Sequence, residues 1–489
     1  MSLTDLKAIT IVAAAIAAFI AVHWIYFKIL CIAKDKNLVD NPDARKLQKT
    51  PIPVMGGIAV FFGVAFGIMA GYTAGGMLGV EYDIILLPVL AAMVVMLYVG
   101  ALDDIRGLSP SSRLLIESLT MVGLIFAGGG CIDTFHGLWG IGSFSWWIAV
   151  PLTIFVGVGI INAVNMIDGV NGLSSTLCLL SSGLYGIVFL KSGDVANATL
   201  AFSMAAALVP FMIHNIFGLR SRMFIGDAGT MVMGLLLTWF TISLLKSDSP
   251  ITFYEDANNV NLIAFALAVL CVPVFDTLRV MTMRMVRKKS PFHPDKTHLH
   301  HIFINVGVSH FITTMSEVLI MVVVVFTWFL SVLLGVSIDG QLYIVVAAAV
   351  VFVWGTYAVL RYHASHHTKF LHWLVNFSVK THLGRKDWWK RITAWLDAPE
   401  DKIRSMKEVN EKGVADANKV DPFDLMEEDR KKVLDFMKGR AEVMVYDIFE
   451  NSGADGKYVS AVLESEERQG TIRVIQRDSK GIPTIVTLS

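Results

Sequence analysis

The sequence predicts an all-α polytopic membrane protein of about 11 transmembrane helices with a small cytoplasmic α+β appendage at its C-terminus. Three observations carry that prediction. Apolar residues form 54% of the 489-residue chain against 17% charged, with a mean hydropathy of +0.60. Runs of about 20 apolar residues, long enough to cross ~30 Å of hydrocarbon, recur through residue 362. Beyond that point the composition becomes polar and charged.

The apolar runs are, in order, 6–33, 54–72, 84–102, 112–130, 144–163, 172–190, 196–217, 228–246, 260–281, 314–335 and 342–362. The first lacks a basic leader and a small-residue cleavage site, so it reads as a retained helix. Loops after odd-numbered runs hold the cations: Lys34, Lys36, Arg45, Lys46 and Lys49, then Arg106 and Arg113, then Arg220 and Arg222, then Arg284, Arg287, Lys288, Lys289 and Lys296. The positive-inside rule then places these loops and the C-terminus in the cytoplasm and the N-terminus outside. Net charge is zero and discriminates little. Cys31, Cys131, Cys178 and Cys271 lie in or beside apolar runs without CxxC spacing, which favours packing over zinc or disulfides.

These runs define a membrane core, 1–362, followed by two further segments. In 363–398, Trp373, Trp388, Trp389 and Trp395 alternate with Lys369, Lys380, Arg385, Lys386, Lys390 and Arg391, as in helices lying on a membrane surface; nucleic-acid binding is disfavoured. In 399–489, a charged linker from Pro399 to Lys419 precedes a helix capped by Asp421 with Pro422 in its first turn. Short strands are expected at 442–449, 458–463, 471–476 and 484–488.

Every cluster that could carry chemistry falls on the cytoplasmic side. Asp103 and Asp104 end the third run; they are either a solvated helix terminus or a cation site. Asp227, between Gly226 and Ala228-Gly229, opens the eighth run, where backbone N–H groups and the helix dipole would meet a phosphate or metal. Asn162, Asn165 and Asp168, spaced by threes, would share one helix face, with Asn171 following. Asn162 reads equally as interhelical glue, whereas Asp168, flanked by Gly169 and with Gly172 nearby, lacks an evident structural partner. His293, His298, His300 and His301 beside a basic cluster suit an anionic ligand such as pyrophosphate; zinc is the competing reading. Several carboxylates with positions left to water and phosphate suit Mg²⁺ and phosphoryl transfer.

Five ordered motifs carry a resemblance: Lys49 to Gly57, Asp103 with Asp104, Asn162 to Gly172, Phe224 to Asp227, and Pro294 to His301. With them the chain resembles the polyprenyl-phosphate N-acetylhexosamine-1-phosphate transferases (glycosyltransferase family 4), most closely the bacterial undecaprenyl-phosphate N-acetylglucosamine-1-phosphate transferase branch. The resemblance spans residues 1–315 by motif and extends to 362 by topology. It implies transfer of HexNAc-1-phosphate, GlcNAc-1-phosphate first, from a UDP-sugar to undecaprenyl phosphate, with UMP released and lipid-linked polysaccharide synthesis begun. The implied cofactor is Mg²⁺, with Mn²⁺ as a substitute, and the implied place is a bacterial inner membrane, where a homodimer would suit exposed apolar faces.

By position, the resemblance implies that Asp227 is the principal metal ligand with Asp104 beside it. Asp103 activates the lipid phosphate, with Asp104 and Asp168 completing the catalytic set. The resemblance further implies that Phe224 stacks on uracil with Asn165 and Asp168 nearby on the nucleotide side, that Asn171 is a substrate-binding position, and that Lys49 and Arg113 lie near the substrates. His298, His300 and His301 meet the diphosphate. The chain departs from the family at Asn171, where many bacterial members carry aspartate, and at Gly107 and Leu108, where some carry another acid. The rival readings are a secondary transporter of an anionic or nucleotide-sugar substrate and a scaffold that recruits partners through its tail.

Overall fold

The computed structural model describes residues 3–40, 51–80, 86–249, 260–291, 297–366, 368–380, 386–411, 422–454, 456–477 and 483–489. Two compact units emerge. The first comprises Met1–Leu38, Pro53–Ile216 and Met223–Val375, and the second Val39–Ile52, Phe217–Arg222 and Asn376–Ser489.

The first unit is a bundle of α1 (Leu3–Asp35), α2 (Gly56–Leu78), α3 (Leu86–Arg106), α4 (Pro110–Gly128), α5 (Trp146–Met166), α6 (Leu173–Lys191), α7 (Val195–Phe217, through Ile216), α8 (Gly226–Leu245), α9 (Leu262–Val269), α10 (Cys271–Val286), α11 (Leu299–Asn305), α12 (His310–Leu333), α13 (Ile338–Ala349) and α14 (Gly355–His366). A π-helical turn, Val350–Trp354, joins the last two into one span. Among the described residues ten helices are long and apolar enough to cross a membrane, or eleven if α9 and α10 count as one. The chain is a multi-pass membrane protein.

Helix ends follow local chemistry. Ser109 caps α4 by accepting the Ser112 N–H, Pro110 occupies its first turn, and Gly129, at φ 69°, ends it. α8 is the hub, buried without interruption from Ala228 to Leu245 and packed by α2, α3, α5, α6 and α9. Close crossings need small residues: a Cβ on Gly100 of α3 would come 2.4 Å from the Cα of Ala228.

One expected span is not straight. The run 260–281 is broken into α9 and α10, which meet at 79°. Pro273 supplies the reason, because its ring has no N–H and collides with the carbonyl four residues back, at Val269, where α9 ends.

The second unit contains α16 (Asp387–Glu411), α17 (Pro422–Met437), α18 (Val445–Asn451) and α19 (Gly456–Gln469), preceded by α15 (Lys369–Lys380), whose last residues belong to it. Its sheet has the order β3 (Val443–Met444), β5 (Pro483–Leu488), β4 (Ile472–Arg477), antiparallel throughout; β1 (Val39–Asp40) and β2 (Ile52–Pro53) lie far earlier in the chain. Val433, Met437, Val443, Ile448, Val459, Val462, Leu463, Ile472 and Val486 form its core.

Three expectations change here. The strand expected at 458–463 is part of α19, because Val459, Val462, Leu463 and Glu466 are buried at helical spacing. The strand expected at 442–449 shrinks to two residues before α18. The linker expected from Pro399 is helical as far as Glu411, since a charge-rich stretch reads equally as a solvated helix. The Asp421 cap lies outside the described residues. Within this unit the buried Asp397 carboxylate accepts the N–H groups of Leu219, Arg220 and Ser221 and the Ser221 hydroxyl, the last at 2.6 Å.

Candidate active site

The N-terminus of α8 is assembled from distant pieces of chain. Phe224 pairs in parallel with Val54: its N–H donates to the Pro53 carbonyl at 2.8 Å, and its own carbonyl accepts the Gly56 N–H at 2.9 Å. Gly57 N–H reaches the Ile225 carbonyl at 2.8 Å. The first and fourth motifs are therefore one backbone-paired substructure, although Lys49 itself lies outside the described residues. Phe224 is half-buried and held by its main chain.

Gly226 adopts φ +70°, and a Cβ there would stand 2.5 Å from Asp104 Oδ2. Only glycine satisfies both conditions. Asp104 uses the space to accept the N–H groups of Asp227 at 2.9 Å and Ala228 at 3.1 Å, one on each oxygen. The anion at this helix N-terminus is thus a side chain of α3, and the N–H groups expected to await a phosphate are occupied. Asp104, expected beside the metal, holds the helix that carries Asp227.

Asp103 turns elsewhere. Its Oδ1 accepts the Leu108 N–H at 2.6 Å, and its Oδ2 faces Arg113 Nη1 at 3.3 Å. Arg113 also donates through Nε to Glu117 at 3.0 Å and through Nη2 to Asn162 Oδ1 at 3.4 Å, while Asn162 Nδ2 donates to the other Glu117 oxygen. Arg113 is consequently a counter-ion locked on three sides, and Asn162 is interhelical glue between α4 and α5. Asp227 receives the Asn165 amide at 2.5 Å, and the same amide reaches Thr230 Oγ1 at 2.8 Å. Asp103 and Asp227 are near enough for their charges to act on one another, and the Arg113 charge acts on both.

Asn162, Asn165 and Asp168 do not form one line. α5 ends at Met166, so the three fan out to α4, α8 and α6 respectively. Asp168, expected to lack a structural partner, accepts the Ser174 hydroxyl at 2.6 Å. Burial raises its pKa to about 6; the Ser174 bond opposes this and the Asp227 charge adds to it. Asn171 is fixed through its main chain, its N–H donating to His310 Nδ1 at 3.2 Å and its carbonyl accepting from Thr314 at 3.0 Å.

The histidine motif is bound to α10. His298 Nδ1 lies 2.8 Å from Asp276 Oδ2, and Leu299 N–H reaches both Asp276 oxygens at 3.1 Å. His300 is buried with ring centroids 4.3 Å from His301 and 5.8 Å from His298. Burial first, then the neighbouring imidazoles, holds its pKa well below the usual range, so it is neutral. Its Nε2 occupies the space that a Cβ on Gly169 would need, at 2.7 Å, which joins the histidines to the Asp168 loop. Residues 292–296, with His293, lie outside the description.

Glu117, Ser174, Thr230, Asp276, Arg279 and His310 escaped the sequence reading. For Glu117, Asp276 and Arg279 a signal existed, since each is ionisable inside an apolar run. Among the described residues no group of three or more His, Cys, Asp or Glu side chains could hold a metal alone. Asp227 and Asp103, with the Thr230 hydroxyl nearby, instead suit a hard cation that takes one or two carboxylates and leaves its other positions to water and phosphate.

Residues 86–245 match the profile described as Glycosyl transferase family 4. The chain is 30% identical over 289 residues to the undecaprenyl-phosphate alpha-N-acetylglucosaminyl 1-phosphate transferase of Escherichia coli (strain K12), covering 56% of this chain and 71% of that one. It is 30% identical over 307 residues to the probable undecaprenyl-phosphate N-acetylglucosaminyl 1-phosphate transferase of Bacillus subtilis (strain 168), covering 63% and 80%. With the Salmonella typhimurium (strain LT2) protein named undecaprenyl-phosphate alpha-N-acetylglucosaminyl 1-phosphate transferase, identity is 29% over 314 residues, covering 62% and 78%.

Proposed function

The chain belongs to glycosyl transferase family 4, and from that premise we propose that it transfers N-acetylhexosamine-1-phosphate from a UDP-sugar to undecaprenyl phosphate, releasing UMP. GlcNAc-1-phosphate is the first choice of donor group. The reaction takes place on the cytoplasmic face of a bacterial inner membrane and begins a lipid-linked polysaccharide. The observation that carries this reading is the joining of the five motifs: Gly57 to Ile225, Asp104 to Asp227, Asn165 to Asp227, and Gly169 to His300.

Asp227 would hold Mg²⁺ or Mn²⁺, with the Asp103 charge acting beside it. The ion, when bound, would neutralise diphosphate charge and polarise the phosphorus under attack. Asp103 is the residue for the nucleophile: it orients the lipid phosphate or takes its proton. The phosphate oxygen then bonds to the sugar-bearing phosphorus as the bond to UMP breaks. Arg113 offsets the charge of Asp103 and Asp227 throughout, and the histidines stand on the diphosphate side.

The bent α9–α10 pair with its buried ion pair is a feature that secondary transporters also use. Family membership, and not a lack of polar breaks in the spans, sets the transporter aside. The test is UMP release by purified protein in nanodiscs with UDP-GlcNAc, undecaprenyl phosphate and Mg²⁺. Asp227→Ala lowers turnover on the order of 10³-fold. No UMP from the parent chain, or release untouched by the substitution, overturns the proposal. A panel of UDP-N-acetylhexosamines decides the sugar.

A further inference from the structure

We propose that Asp276 and Arg279 of α10, which lie outside all five motifs, are positioning residues that set the tautomer and orientation of His298. The inference rests on the reaction proposed above. Both residues sit inside an apolar helix with side chains only 1% and 4% exposed, where unpaired charge would be costly. Among the described residues, their side-chain hydrogen bonds other than those between themselves go to the segment Thr297–Leu299.

Arg279 donates through Nε at 3.1 Å and Nη2 at 2.6 Å to Asp276 Oδ1, and Nη2 also reaches the Thr297 carbonyl. Its guanidinium lies 3.6 Å from the ring centroid of Tyr357 in α14, which restrains the plane of the fork. Asp276 therefore cannot swing away. Its second oxygen accepts from His298 Nδ1, and both oxygens accept the Leu299 N–H.

A carboxylate held among donors is an acceptor only, so the network assigns the His298 ring proton to Nδ1. Nε2 is then the outward nitrogen, an acceptor in the neutral ring and a donor to a diphosphate oxygen only in the imidazolium, in which both nitrogens carry protons. The arrangement matches the general logic by which a buried carboxylate fixes the tautomer of a working histidine. A stretch that merely packed α11 against α10 would need the Leu299 bond but not a carboxylate on the imidazole. The neighbouring His300 is placed by contact with Gly169 and is not bonded to Asp276.

The experiment is a double-substitution cycle between Asp276→Asn and His298→Gln in nanodisc-reconstituted full chain, read as UMP release. Asp276→Asn alone is expected to lower kcat on the order of 10²-fold with KM for the UDP-sugar within about twofold, yet add less than about threefold once His298→Gln is present. Asp276→Leu with Arg279→Met removes both buried charges together and is expected to stay monodisperse while remaining equally slow, separating positioning from loss of fold. Nitrogen-15 spectra of labelled histidines, with His298 assigned by its loss in His298→Gln, are expected to show the Nδ1–H form in the parent and a mixture in Asp276→Asn. Equal losses in both backgrounds, a kcat within about threefold of the parent, or an unchanged tautomer would overturn the inference. If the parent releases no UMP the proposed function falls, and the spectra still decide the Asp276 and His298 pair.

Discussion

The acidic end of the site and its histidine end balance charge in opposite ways. At the acidic end one guanidinium, Arg113, serves Asp103, Glu117 and Asp227, so negative charge is in excess. At the histidine end Arg279 pairs with Asp276 at 2.6 Å and Asp276 also takes His298 and a backbone N–H, with the buried Glu317 in the field of the pair. Among the described residues the first region shares one cation among three carboxylates, whereas the second gives its buried carboxylate a close guanidinium and an imidazole. The two adjacent aspartates repeat the contrast within one turn. Asp104 gives both oxygens to the α8 backbone, whereas Asp103 gives one to the Leu108 N–H and turns the other to Arg113, whose charge also acts on Asp227.

Substitutions can break this contrast one end at a time. The largest effect belongs to Asp103→Asn, expected to lower UMP release by roughly 10³-fold while leaving UDP-sugar affinity, measured by titration calorimetry, within about threefold. If affinity collapses as well, Asp103 chiefly holds the cation and the division of labour with Asp227 is wrong.

Gly226→Ala comes next. It places an L side chain at φ +70° and pushes its Cβ against Asp104, costing about 2 kcal/mol or more of stability. The melting temperature should fall while the His298 nitrogen spectrum stays as in the parent. A coupled change in both would show that the two ends are not independent.

The smallest effect is a pH shift at Asp168. Its carboxyl ionises near 3.8 when unfolded and about 6 in the fold, so the folded chain holds the proton more tightly. Its contribution to stability therefore falls as pH rises between those values and is constant above them. Activity that needs the ionised form rises through about pH 6. Ser174→Ala removes the bond that favours the charged form and should move that midpoint upward by about half a unit to one unit in a kcat/KM profile. A midpoint that stays put, or moves down, would mean that another group controls the limb.

Much of the site was legible because glycine and carboxylate are conspicuous in apolar sequence. Asp103, Asp104, Asp168, Asp227 and the histidines could be named from cost alone, since ionisable groups at membrane helix ends require a reason. Their partners could not. Arg113, which the resemblance sets near the substrates, is one case: an arginine in a loop gives no sign in sequence of Glu117 and Asn162 closing around it. Asp276 and Arg279 are hard to see in sequence because an apolar average over the run smooths two charges spaced i and i+3, and because the break that Pro273 makes at Val269 shows only in the fold.

The sequence by itself determined the class of molecule: the spans, the polar appendage and the residues able to do chemistry follow from hydrophobic length and from the solvation cost of charge. Tertiary structure alone decided which carboxylate does what. Asp103 and Asp104 share composition, neighbours and helix end, but the α3–α8 crossing at Gly100 and Ala228 presents one to backbone N–H groups and the other to Arg113 and Asp227. That choice depends on contacts more than 100 residues apart in the chain, which no local pattern encodes.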